Sequence, residues 1–145
     1  MSLRDWVRNG WLVEHQSSPE EIRNLLALAD RDLHSCRAQG LDTDWRFAIA
    51  YNAALQAATA ALAAAGYRAT RDSHHFRVIH SLELTVQAEP KLIHQFDAFR
   101  KKRNIASYEQ GGAVSDSEAA EMAAFAKSLR SMVESWIGSN HPNLL

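Results

Sequence analysis

Arg100, Arg103, Asn104 and Tyr108 sit at helical spacing inside residues 96–108, the stretch that also holds the densest basic cluster of the chain. On a helix, Arg100, Asn104 and Tyr108 fall at i, i+4 and i+8 and share one stripe, with Phe96 a turn before Arg100. Phe99, Arg103 and Ser107 form the neighbouring stripe. Lys101 and Lys102 point elsewhere, into solvent. Two guanidinium groups, an amide and a phenol beside aromatic carbon suit a phosphate. The guanidinium fork matches phosphate oxygens bidentately and is better preorganised than an ammonium. The plain alternative is a solvated basic face, with Arg103 paired to Asp97, Glu83 or Glu109.

His74 and His75 are the second candidate set, because imidazole titrates near neutrality and can move a proton. In the functional reading, one of them faces the basic stretch across a groove. In the bland one, they start a helix with one histidine buried and the other solvated. Adjacent histidines do not have the i, i+4 spacing by which a helix chelates a metal, and no carboxylate is placed to complete a zinc site. His34 and Cys36 show no metal spacing either. Neither a metal nor a cofactor is expected.

The elements that must position these groups read as helices. A chain of 145 residues, 46% hydrophobic and 23% charged, fits one globular domain. Sixteen Lys plus Arg against seventeen Asp plus Glu, a formal net charge of -1, argue against a general nucleic-acid coat. A local basic footprint remains open, since the field at one face is what counts. The single cysteine, Cys36, points to a reducing compartment. No charged segment followed by an apolar run opens the chain, and the alanine-rich run carries Gln56 and Thr59. The expectation is a cytoplasmic protein with no membrane association.

Residues 1–16 form an amphipathic arm, with a helix predicted over 2–14 and Trp6 and Trp11 as anchors. Residues 17–140 form the bundle. Ser18-Pro19-Glu20-Glu21 predicts a capped helix start, running to Gln39 before Gly40. Asp42 or Thr43 caps a helix reaching Ala65, apolar on nearly every side, which belongs at a bundle centre or a subunit interface. Residues 66–73 connect to a helix from His74 that Pro90 stops. Another runs over 90–110, and Ser115-Asp116-Ser117-Glu118 opens the last, closed by Gly138. The fold class predicted is all-α: an up-and-down helical bundle of about five helices with a short N-terminal helix.

The pattern Phe96-x-x-Phe99-Arg100-x-x-Arg103-Asn104-x-x-x-Tyr108 resembles the signature helix of the HEPN superfamily. The helix beginning Ala50-Tyr51-Asn52, the Gly66-Tyr67-Arg68 connector and His74-His75 resemble the upstream elements of a bacterial HEPN domain. The resemblance spans most of the chain, roughly residues 22–136. It implies an up-and-down bundle, commonly a homodimer with the motif helices face to face. Many members are metal-independent ribonucleases or toxins of toxin–antitoxin pairs, often encoded beside a minimal nucleotidyltransferase. Others are non-catalytic binding or accessory modules.

The nuclease members place a histidine four to six residues after the arginine, whereas Tyr108 stands in that register after Arg103. Cleavage needs a base for the 2′-hydroxyl and an acid for the leaving oxygen. A tyrosine, with a reference pKa of about 10, is a poor base near neutrality. The leading expectation is therefore a HEPN-like binding or accessory module. Its Arg100, Arg103, Asn104 and Tyr108 would hold RNA or nucleotide phosphate, or dock a nucleotidyltransferase-like partner. The first alternative is a metal-independent endoribonuclease toxin. There Arg103 stabilises the phosphorane, Asn104 orients it, and Tyr108 or His74 and His75 transfer protons. The second is a purely structural dimeric module.

Overall fold

Ser18 accepts a hydrogen bond from the Glu21 amide at 3.1 Å and starts α2 (Pro19–Ser35), with Pro19 in the first turn, where its missing N–H costs nothing. The computed structural model describes residues 1–106 and 111–145. Before α2 lie α1 (Leu3–Arg8) and a short strand, β1 (Leu12–Glu14). After it come α3 (Thr43–Ala64), β2 (Tyr67–Ala69), α4 (His74–His80), α5 (Pro90–Asn104) and α6 (Asp116–Asn140). Six helices are thus present among the described residues, and the protein is an all-α bundle with a short N-terminal helix.

The bundle is built on α3. Ala50, Ala54, Ala57 and Ala61 on this helix are wholly inaccessible, as are Ala53, Ala58 and Ala60. Side chains this small let neighbouring axes approach closely, and α2 and α6 pack along both flanks of α3. By length and composition α3 could cross a membrane, but 72% of its most apolar window is buried inside the bundle. Its isotropic apolarity is therefore accounted for by neighbours within this chain.

Several boundaries differ from the sequence reading. The predicted helix over 2–14 stops at Arg8. Gly10 then takes a φ of +78°, a left-handed conformation open to glycine, and turns the chain into β1. β1 pairs antiparallel with β2, matching Leu12 with Ala69 and Glu14 with Tyr67. The residues read as a connector thus form half of a two-stranded ribbon, which alternation over only three residues could not reveal.

α2 ends at Ser35 rather than Gln39. The Arg46 guanidinium explains the early stop: it donates to the carbonyls of Cys36, Ala38 and Leu41, giving partners to a turn that leaves the helix. The helix predicted from His74 to Pro90 is short. α4 ends at His80 and a single tighter turn, Ser81–Glu83, follows. Buried Ser81 turns its hydroxyl back to the Val78 carbonyl at 2.7 Å, and Gln87 adopts a φ of +59° before Pro90. α6 runs through Gly138 to Asn140. The remainder of the helix predicted over 90–110, with Tyr108 in it, lies outside the described residues beyond Ala106.

A candidate phosphate-binding pocket

α5 is pinned by its aromatic side. Phe96 is wholly buried and meets Tyr51 of α3 at 5.9 Å and Phe125 of α6 at 5.1 Å, both edge to face. Phe99 makes the same kind of contact with Phe47 and Phe125. Buried aromatic side chains contribute roughly 1.5–3 kcal/mol each by area, and their edge contacts add to that. With Phe96 and Phe99 anchored inward, Arg100, Arg103 and Asn104 follow one turn further along the same side of α5 and are only partly buried there.

α4 is held against that side. The Arg77 guanidinium lies 3.8 Å from the centroid of the Trp11 ring, and Trp6 packs edge-on against Trp11 at 5.5 Å. The N-terminal arm therefore braces α4. The result is an open pocket of about 440 Å³ lined by Ser73, His74, His75, Phe76, Arg100, Arg103 and Asn104. Five of the candidate residues thus share one concavity. Tyr108, the sixth, lies outside the described residues.

Specific contacts surround the arginines and the histidines. Arg100 Nε donates to Asp97 Oδ1 at 2.8 Å, one turn back on α5. Lys101 reaches the same carboxylate at 3.6 Å. Burial pushes the Asp97 carboxyl up, but the Arg100 hydrogen bond and the charges of Arg100, His80 and Lys101 outweigh it, so its pKa sits below the ordinary value. The sequence reading considered Asp97 as a partner for Arg103; the carboxylate goes to Arg100 and Lys101. Arg103 instead places its guanidinium carbon 5.6 Å from the Tyr51 ring. Lys102, expected in solvent, is half-buried and pairs with Glu118 of α6 at 3.3 Å.

The two histidines differ. His74 is exposed, and its Nδ1 lies 3.2 Å from the Thr70 carbonyl. A carbonyl only accepts, so Nδ1 carries the hydrogen, and the neutral ring keeps its lone pair on Nε2. His75 is half-buried, with Nδ1 3.2 Å from the Tyr51 hydroxyl. Its pKa lies below the ordinary value, first because of burial, then because of the charges of Arg103, His74 and Arg100. Burial drives the Tyr51 phenol far above its ordinary value.

Tyr51, named in the sequence only as part of the alanine-rich helix, was not expected at the site. A hydroxyl inside an alanine run was the available signal, since a buried phenol needs a polar partner. Phe76 and Ser73 were also not expected to line the site. Among the described residues, no group of three or more His, Cys, Asp and Glu side chains is placed to hold a metal ion.

A larger groove of about 600 Å³ lies between α2 and α6. Its Arg130 is already engaged by Glu134 and Asp30. Its Cys36 thiol is buried and points to the Leu33 carbonyl, with its pKa pushed up by burial. Such a thiol is unreactive. That groove also carries His34, Arg37 and Lys127, but Asp30 and Glu134 line it with them, whereas the smaller pocket sets Arg100, Arg103, His74 and His75 together with no carboxylate in its lining. No family model matches the chain, and no curated protein matches it in sequence.

Proposed function

We propose that the protein is a HEPN-like binding module that holds the phosphate backbone of single-stranded RNA, or a nucleotide phosphate, in the α4–α5 pocket. The observation that carries this reading is the meeting of Arg100, Arg103 and Asn104 with His74 and His75 in one open concavity. Guanidinium groups supply charge and paired donors, and the amide and imidazole groups add directional hydrogen bonds. The openness of the site suits an extended polymer. On this reading two copies pair as a homodimer, their α5 helices facing each other, and a nucleotidyltransferase-like protein is the candidate partner. The test is fluorescence anisotropy with a labelled oligouridylate at low salt. Binding should fall at least tenfold in Arg103→Ala, with the far-UV spectrum unchanged. A chain that binds no oligouridylate or nucleotide, or an Arg103→Ala variant with full affinity, overturns the reading.

A second reading, metal-independent RNA cleavage, is favoured by His74. Its Nδ1–H is anchored on the Thr70 carbonyl, so Nε2 is turned into an acceptor suited to a 2′-hydroxyl proton. Arg103 would neutralise the charge developing on phosphorus. The discriminating assay is RNA incubation in excess EDTA. Cleavage that disappears in His74→Ala and spares a 2′-deoxy substrate favours the enzyme; intact RNA favours the binding module.

A further inference from the structure

We propose that Tyr51 is a positioning residue that locks His75 in its Nε2–H tautomer, so that His75 meets a bound phosphate oxygen as a hydrogen-bond donor. The donor role rests on the phosphate-binding reading above; the lock itself rests on geometry. Tyr51 is wholly buried on α3, and the hydrogen bond its hydroxyl makes among the described residues is the 3.2 Å contact with His75 Nδ1.

Two arrangements of that bond exist. If Nδ1–H donated to the phenol oxygen, the hydroxyl hydrogen would have no acceptor among the described residues in a buried site, which is costly. If the phenol O–H donates to Nδ1, both atoms are satisfied. The phenol remains protonated, because burial drives its pKa far up. The neutral imidazole then carries its hydrogen on Nε2, at the ring edge away from Nδ1.

The groups facing His75 keep it neutral. They are Tyr51 on α3, His74 beside it on α4, and Arg100 and Arg103 on α5. Burial and positive neighbours both oppose a second proton. When both rings are neutral the two adjacent histidines are opposite tautomers: His74, with Nδ1 on the Thr70 carbonyl, presents a lone pair at Nε2, and His75 presents an N–H. A neutral Nε2–H that gave its proton away would leave an imidazolate. His75 therefore serves as a fixed donor beside Arg103 and does not act as the acid of a cleavage step. The Tyr51 ring also lies 5.6 Å from the Arg103 guanidinium carbon, so His75 and Arg103 both face one buried side chain.

The experiment is nitrogen NMR of the full chain with labelled histidine, in wild type and Tyr51→Phe, with and without a short oligouridylate. In wild type at neutral pH, His75 should show a protonated Nε2 and a bare Nδ1. In Tyr51→Phe this bias should be lost, and oligouridylate affinity should fall roughly three- to tenfold, the worth of one misplaced hydrogen bond. His74, tied to Thr70, should keep its Nδ1–H signature in both, which reports that the variant is folded. His75→Gln, whose amide N–H reaches toward the same place, should bind better than His75→Ala. A wild-type His75 protonated on Nδ1, or a tautomer unchanged in Tyr51→Phe, overturns the lock even where RNA binds. A wild type with the stated tautomer that binds no RNA or nucleotide overturns the phosphate reading and the donor role with it.

Discussion

Arg100 Nε lies 2.8 Å from Asp97 Oδ1, and both side chains are mostly buried, at 22% and 15% exposure. The arginine is therefore an oriented group, held at its Nε so that the terminal nitrogens remain for the pocket. Replacing Asp97 with Asn keeps the shape and removes the charge. We expect a stability loss of about 1 kcal/mol at neutral pH, measured by urea unfolding. The Asp97 pKa is depressed in the fold, so its contribution is full above about pH 4 and disappears as pH falls through the lowered value. The wild-type and Asp97→Asn curves should therefore converge in strong acid. Curves that stay parallel would show that the pair does not stabilise the helix.

The two pocket arginines should also be visible in the salt dependence of binding. Each phosphate neutralised on a single strand contributes a slope of about −0.7 in log K against log salt. Arg100→Ala should flatten that slope by about this amount and lower affinity at low salt. An affinity loss that is the same at every salt concentration would mean that the arginine acts through packing and not through charge.

His75 and His80 both have pKa values below the ordinary 6.5, in each case first because of burial. His80 packs its ring on Phe76 at 4.1 Å, and its buried Nε2 stands 3.9 Å from Asp97 Oδ1, too far for a hydrogen bond. Above about pH 6.5 the folded and unfolded chains are both neutral at these rings. Below it the unfolded chain takes up protons first, so stability declines as pH falls through the range beneath 6.5. The urea midpoint should fall between pH 7 and pH 5, and by less in His80→Gln. A midpoint constant over that range would contradict the buried, neutral state of both rings.

Ala57 tests the close packing around α3. It is wholly inaccessible on a helix clasped by α2 and α6. Ala57→Leu should destabilise the fold by about 1–3 kcal/mol through overpacking, as read by thermal or urea unfolding. A stabilised variant would reveal a cavity at that seam.

The helices were legible because their signals are local. The Ser18 and Ser115 caps, the proline at the start of α2 and the 3.6-residue periodicity act within one or two turns, so composition and spacing suffice to read them. The β1–β2 ribbon was not, since three-residue strands separated by more than fifty positions carry no local period. The early end of α2 was hidden for the same reason: the Arg46 side chain that satisfies its departing carbonyls comes from the next helix.

The site divides along the same line. The residue sequence by itself determined that Arg100, Arg103 and Asn104 would share one side of a helix, because a single helix sets the phase of its own side chains. Only the tertiary structure decided that His74 and His75 lie across from them, that Asp97 orients Arg100, and that Tyr51, a core residue by its pattern, reaches His75. Those relationships join α3, α4 and α5 through a buried aromatic cluster and a tryptophan-braced arm. The packing that brings distant segments together is a property of the whole chain, and no short stretch of it encodes the distance between Tyr51 and His75.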